Sequence, residues 1–338
     1  LAEQFHVSLI TSKNALAGLA DEGIAVRVRG KGTFVSGLSS VDLTAGQAAA
    51  PASAPKRRLP DLIGLVVPSV RTGVELRLLD IIESAVYARG YSLMLRLSRG
   101  NPDRERQAIR HMHENGASGL LLFPIGASHD MRSLRLSDKL RLPFVLIDRH
   151  FSGVPASSVV SDNYNGAAAA ARELLLRGHG RIALLTPPDE HSVIAERLAG
   201  FSETLLRHGG GHPPELRHVM PYPVIHGPRE ASIRQLLPWL RQHRGTFTAM
   251  VVLDRELALI ARDALGALAA PLPPADMVTF DDPGLPGISY IKQNETAIGE
   301  RAVGLLMAQI QRPGAERRVM IVPTELVVPQ APDVIENH

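Results

Sequence analysis

The chain has 338 residues, which at roughly 150 per domain predicts about two domains, and its 37 basic and 34 acidic side chains leave a formal charge of only +3. That near-balance excludes a basic coat over the whole molecule, and the absence of cysteine excludes disulfide scaffolds, thiolate metal sites, CxxC redox chemistry and cysteine nucleophiles. Hydrophobic residues make up 45% of the chain and charged ones 21%, enough to bury a core, while 4% aromatics leave few rings to line a pocket. No apolar run reaches the 18 or so residues of a membrane helix, and Leu1-Ala2-Glu3-Gln4-Phe5 carries an acid where a secretory signal would be basic. A cytoplasmic protein is expected, with no membrane partner. The chain starts without methionine and directly in an amphipathic pattern, which points to further sequence upstream.

In chain order, residues 1–5 read as a short helical piece, His6-Val7 as a turn, and Ser8 as the N-cap of a helix over 9–20 that Gly23 ends. Two strands, 24–27 and 33–35, follow, joined by Val28-Arg29-Gly30-Lys31-Gly32. Helix, tight turn and second helix is the geometry that lays one helix in a major groove, and Arg27, Arg29 and Lys31 put positive charge at the hairpin tip, within reach of phosphate. From 37 to 60 the chain is rich in Ser, Ala, Gly and Pro and ends in Lys56-Arg57-Arg58. Too little apolar surface is available there to offset ordering entropy, so it reads as a linker spanning on the order of 25 Å.

Beyond the linker, strand patterns at 62–67, 92–97, 120–123 and 144–147 alternate with helical patterns at 74–89, 103–115 and 131–140. A second series has strands at 181–185, 217–220, 250–253 and 277–280 and helices at 193–208, 229–242 and 256–268. Strands apolar on both faces, each followed by a helix, imply parallel sheets covered on both sides, and two such series imply two doubly wound lobes facing across a cleft. Ligands bind such sheets outside the carboxyl ends of the strands, so the polar residues found there are the first candidates. They are Asp148 and Arg149, Asp162-Asn163 at the first crossing between lobes, Arg197, and Asp281-Asp282. A hydroxyl-rich ligand needs this mixture, since carboxylates and amides accept or bridge hydroxyl protons and arginine donates a planar fork. Local roles compete: Asp281-Asp282-Pro283-Gly284 makes a turn by itself, Asp162-Asn163 caps a helix, and Arg197 has a surface partner in Glu196.

Signals for catalysis are weak. His111 and His113 are two apart on a helix and point in different directions, Gly209-Gly210-Gly211 reads as a helix stop, and Trp239 reads as core. The chain carries no GxxxxGK[ST], HExxH or GxSxG, so no enzyme, metal or cofactor is expected.

The string LAEQFHVS-LITSKNALAGLADEGIAVRVRGKGTFV resembles the second half of a GntR-type winged helix, whose wing ends in Gly-Lys-Gly-Thr-Phe-Val. That resemblance implies DNA contacts from Ser8, Thr11, Lys13 and Asn14 on the recognition helix and from Arg29, Lys31 and Gly32 on the wing. Leu9 stands where that family usually has arginine. The body resembles the lac-repressor family's effector domain, itself similar to periplasmic sugar-binding proteins, through IGLVVPS, FVLIDRHFSGVPASSVVSDNYNGAAAAARELLLRGHGRIALLTPP, ERLAGFSETL, VTFDDPG and ISYIKQNETAIGERAVGLL. A GntR head on such a body is the arrangement of arabinose-responsive repressors.

By this resemblance Asp148, Arg197 and Asp281 contact the effector, with Ser69 from the other lobe and Gln293 at the return crossing. Leu253-Asp254 replaces the family's usual Asn-Asp, implying the loss of one sugar-hydroxyl partner, and Glu295 adds an acid. The expected fold is an α/β, two-lobed, type I periplasmic-binding-protein-like sensor with doubly wound parallel sheets, plus a partial winged helix-turn-helix. The expected domains are the head at 1–36, the linker at 37–60, the effector and oligomerisation domain at 61–330 and a tail at 331–338. Lobe 1 is expected at 61–161 and 293–318, and lobe 2 at 162–290 and 319–330. The implied function is a homodimeric repressor binding operator DNA under the control of a sugar-like effector. The competing reading is a solute-binding receptor without DNA function.

Overall fold

The computed structural model describes residues 7–21, 25–28, 32–35, 61–70, 73–125, 131–151, 155–209, 211, 213–268, 273 and 276–329. The chain forms two units, Leu1–Arg57 and Arg58–His338.

In the first unit, helix α1 (Leu9–Asp21) is followed by strands β1 (Ala25–Val28) and β2 (Gly32–Val35). Ser8 starts the helix as the sequence predicts: its Oγ accepts from the Thr11 amide at 3.1 Å. The two strands form an antiparallel hairpin with Ala25 opposite Val35 and Val28 opposite Gly32. The expected helical piece at 1–5, the wing residues Arg29 and Lys31, the basic triplet at 56–58 and the tail at 331–338 lie outside the described residues.

The second unit holds two six-stranded sheets. The first half supplies β3 (Leu62–Val67), α2 (Gly73–Tyr87), β4 (Ser92–Leu97), α3 (Pro102–Glu114), β5 (Ala117–Leu122), α4 (Arg132–Lys139), β6 (Phe144–Ile147) and β7 (Ser157–Ser161). Then follow α5 (Asn163–Leu176), β8 (Ile182–Thr186), α6 (Ser192–Arg207), β9 (Arg217–Val219), α7 (Tyr222–Ile225), α8 (Arg229–Gln242), β10 (Ala249–Val252), α9 (Arg255–Gly266), β11 (Met277–Phe280) and β12 (Ser289–Lys292). The chain returns through α10 (Glu295–Gln311), β13 (Val319–Val322) and β14 (Glu325–Val327). Helix starts follow local chemistry: Asn101, Asp162, Asp254 and Asn294 each cap α3, α5, α9 and α10 with a side-chain oxygen.

Lobe 1 has the strand order β13-β7-β6-β5-β3-β4 and lobe 2 the order β14-β12-β11-β10-β8-β9. Every pair is parallel except β12 with β14. The two orders superimpose term by term, so β6 of one lobe corresponds to β11 of the other and β7 to β12. The central strands are buried on both faces, as in β3, β6, β8, β10 and β11, because helices cover both sides of each sheet. In lobe 1, α2 and α10 seal one face with Leu78, Ile82, Val303 and Leu306, and α3 and α4 seal the other with Ile109, Met112 and Leu134. Lobe 2 repeats the scheme, with α5 and α6 on one face and α8 and α9 on the other.

One boundary is corrected. The spacing assigns 319–330 to lobe 2, but Val319–Val322 pairs in parallel with β7 of lobe 1, with Val319 opposite Ser158 and Val322 opposite Ser161. The last crossing therefore falls at Pro323-Thr324, and only β14 joins lobe 2. Two short strands separated by two residues resemble one strand in sequence, and only ladder partners separate them.

Candidate functional site

Asp148 directly follows β6 and Asp281 directly follows β11, so the two aspartates occupy corresponding positions in the two lobes. Both have left-handed backbone, with φ of 71° and 61°, a conformation that Asp tolerates better than most residues. Each is held there by its amide: Asp148 N donates to Val159 O at 3.0 Å and Asp281 N to Ile291 O at 2.9 Å. The turn forces each carboxyl off the strand axis at the carboxyl end of its sheet.

Arg197 lies at the break in strand order of lobe 2, where β8 is flanked by β9 and β10. It projects from α6, the helix following β8, and is only 5% exposed. Its Nε donates to Asn163 Oδ1 at 2.9 Å and its Nη1 to Leu253 O at 2.8 Å, and the guanidinium carbon sits 3.7 Å from the centre of the Phe280 ring. Nη2 makes no hydrogen bond among the described residues. Burial pulls the guanidinium pKa down, opposed by the negative charges of Asp281 first, then Asp148 and Asp254.

Asp281 responds in kind. Burial pushes its carboxyl up to about 6, against the lowering effects of Arg197 and of a 2.8 Å hydrogen bond from Gln293 Nε2, while Asp148 and Asp254 push it higher still. Gln293 is 6% exposed and its Oε1 accepts from Ser161 Oγ at 2.6 Å. Asp254 caps α9 through the Leu257 amide at 3.0 Å, and its carboxyl is also raised by burial.

From lobe 1, Arg149 donates from Nη1 to Pro124 O at 3.0 Å and pairs with Asp148 at 3.6 Å. The His150 amide reaches across to Ser192 Oγ on α6 at 3.1 Å, and its ring Nδ1 lies 3.4 Å from Glu196 Oε1. Tyr222, at the start of α7, has its phenol pushed up to about 12 by burial, and the charges of Arg149, Asp254 and Arg197 all act on it. One basin thus gathers three carboxylates, two guanidinium groups, an amide and a phenol. Such a set can grip a polyhydroxylated molecule by accepting from some hydroxyls and donating to others.

The predicted residues Asp148, Arg197, Asp281 and Gln293 therefore converge. Ser69 does not join them: at the end of β3 its hydroxyl donates to Glu75 Oε1 at 2.7 Å, beside a small apolar pocket lined by Val67, Val70, Leu78 and Phe123. Both local roles weighed for the aspartates are real, since Asp162 caps α5 and the Asp282 carboxylate accepts the Gly284 amide at 2.7 Å. The surface-pair role for Arg197 is not, because its partners are buried. Glu295 is no free pocket acid either: Arg77 binds it through Nε at 3.1 Å and Nη2 at 2.5 Å.

Leu253 offers its carbonyl to Arg197, while its side chain packs in the core with Phe280. Asn163, a candidate from the sequence, joins Arg197 directly, while Tyr222 is a functional candidate that sequence reasoning missed. A Pro-flanked aromatic just past a strand was the available signal for Tyr222.

In the first unit, Lys13 and Asn14 are exposed on α1, while the Ser8 and Thr11 hydroxyls lie 2.7 Å apart and engage each other. Gly32 opens β2. No group of three or more metal-binding side chains occurs among the described residues, and none of the described helices is long and apolar enough to cross a membrane.

Comparison with known proteins decides the architecture. Residues 61–222 match the family model described as periplasmic binding proteins and sugar binding domain of LacI family, and residues 171–330 match a periplasmic binding protein-like domain. Together the two matches span the body, which has the two-lobed type I periplasmic-binding-protein-like fold. Its solved neighbours include the Cra transcriptional dual regulator of Pseudomonas putida in complex with fructose 1-phosphate, with TM-score 0.70 and 25% identity over 80% of this chain and 99% of that one. Among curated relatives, the arabinose metabolism transcriptional repressor of Geobacillus stearothermophilus is 24% identical, covering 94% of this chain and 85% of its own length. The PurR repressor of Mannheimia succiniciproducens is 23% identical over 79% of each chain.

Proposed function

We propose that this protein is a transcriptional repressor whose operator affinity is set by a small carbohydrate-like effector held between the two lobes of the effector domain. The observation that carries the reading is Arg197, a buried guanidinium with an uncommitted nitrogen, set among Asp148, Asp254 and Asp281 where the strands of both lobes end. An arabinose metabolism transcriptional repressor and the HTH-type transcriptional repressor PurR are among the chain's relatives.

The head is a winged helix of the GntR kind. Supporting this, α1 leads into an antiparallel hairpin, and the arabinose-repressor match reaches 94% of the chain where the PurR match stops at 79%. Lys13 and Asn14 face the operator from α1, with Ser8 and Thr11 at its start, and Arg29, Lys31 and Gly32 from the wing. In a cytoplasmic homodimer, two heads read two half-sites, and closure of the lobes on an effector changes their spacing. Coupling of about 1 to 3 kcal/mol gives a 5- to 150-fold change in operator affinity.

Two measurements test the proposal on the natural full-length protein. Fluorescence anisotropy with duplexes from its own promoter region is expected to show salt-sensitive binding, and none at low salt rejects the regulator. A thermal-shift screen of pentoses, hexoses, polyols and their phosphates is expected to find a stabilising ligand, worth about 2.7 kcal/mol at 100 times its Kd.

A further inference from the structure

The chain crosses between lobes three times, after β7, after β12 and between β13 and β14, and polar contacts tie these crossings together. Asp162 N donates to Val322 O at 2.8 Å and Thr324 Oγ1 to Asp162 O at 3.3 Å, joining the first crossing to the last. Ser161 Oγ donates to Gln293 Oε1 at 2.6 Å, joining the first to the second.

Asn163, the first residue of α5 and 2% exposed, stands at the centre. Its Nδ2 donates to Ser161 O at 3.1 Å and to Glu196 Oε2 at 3.3 Å, and its Oδ1 accepts Arg197 Nε at 2.9 Å. From Ser161 the line continues through Gln293 to Asp281. From Glu196 it continues to His150 of lobe 1. Two of the charged groups that lobe 2 gives to the cleft, Arg197 and Asp281, are thus held by side chains whose other contacts are at the hinge. Ser161 and Asn163 are themselves buried, and each polar group here is costly to leave unpaired, so the chain of contacts moves as a unit or breaks.

We propose that Asn163 and Ser161 are positioning residues that tie engagement of an effector by Arg197 and Asp281 to rotation of the lobes about their crossings. The proposal rests on reading the cleft as an effector site, but its mechanical half is independent of any ligand. An effector that pulls on the Arg197 fork loads Asn163, which is hydrogen-bonded to the carbonyl at the lobe 1 strand end. One that pulls on Asp281 loads Gln293 and, through it, the same strand end. Closure and engagement then share one set of hydrogen bonds, a two-state element that both lobes bias.

The first test uses the ligand-free full-length protein. Hydrogen exchange of wild type and Ser161→Ala is compared at the crossings and along α6. The relay predicts about fivefold faster exchange in Ser161→Ala at residues 293–298 as well as near the substitution, with β3 and β5 unchanged and α6, whose tie through Asn163 is to the Ser161 carbonyl, little affected. Faster exchange confined to β7 overturns it.

The second test separates the two ends of Asn163, using L-arabinose, D-ribose, D-glucose and D-fructose as thermal-shift probes and small-angle scattering to read compaction. Asn163→Ala is expected to weaken binding of a stabilising sugar about tenfold, since Arg197 Nε loses its acceptor. Asn163→Asp keeps that acceptor and restores affinity, but lacks the N–H to Ser161 O and does not restore sugar-induced compaction. If Asp behaves as Ala does, or restores both properties, the relay is wrong. If no sugar stabilises wild type, the effector reading falls, and the exchange measurement still judges the relay.

Discussion

At Arg197 a single side chain carries both packing and recognition. Its Nε and Nη1 are spent inside the protein, on Asn163 and Leu253 O, which fixes the plane of the fork before any ligand arrives. Arg197→Ala strands two buried acceptors and removes the one guanidinium that moderates Asp281, so urea unfolding should show a loss of about 3 kcal/mol. Effector-induced thermal stabilisation should vanish, with DNA binding kept. Arg197→Lys should recover neither fully, because a single ammonium cannot span both acceptors and stack on Phe280.

Asp281 makes the site pH-dependent. Its carboxyl rises from 3.8 unfolded to about 6 folded, so the native state holds the proton more tightly. The associated stability is fully present below about pH 4 and is lost as pH rises through 6, on the order of 3 kcal/mol for a shift of about two units. Asp281→Asn should therefore gain on wild type in urea midpoint between pH 4 and pH 7, and a pH-independent difference would refute the assignment. An effector hydroxyl donating to this carboxylate should release a proton on binding near pH 6, visible as a buffer-dependent heat in calorimetry.

Among the elements, α5 and α6 make the decisive pair, because α6 carries Ser192, Glu196 and Arg197 and α5 starts at the hinge. They approach so closely that a Cβ built on Gly200 would lie 2.0 Å from Tyr164 O. Gly200→Ala must push the helices apart, with an expected cost of about 2 kcal/mol and a weaker effector response, since Arg197 moves with the helix. Wild-type stability in Gly200→Ala would mean that the crossing has slack. Most elements were legible in the sequence for a simple reason: 229–242 and 277–280 match their expected bounds because apolar spacing and flanking breakers are local signals. The strands β12, β13 and β14 were not, being three to four residues long and defined by their ladder partners rather than by pattern.

Over the whole molecule, charge is used locally. With a net formal charge of +3 the chain as a whole offers DNA little attraction, so in the proposed reading α1 and the wing supply it. Lys31→Ala should weaken binding to all duplexes alike and flatten the salt dependence by about one unit of log–log slope. An unchanged slope would take Lys31 out of the interface.

By itself the sequence determined the two series of strands and helices, the caps that start α1 and α5, and the polar residues at strand ends. Each of these depends on neighbours within a few positions along the chain. Only the tertiary structure decided which strand ends meet, that β13 belongs to lobe 1, that Glu295 is neutralised by Arg77, and that Asn163 and Tyr222 stand with Arg197. Those facts depend on groups tens to hundreds of residues apart, brought together by burial of the sheets, and no local pattern encodes the partner of a buried charge.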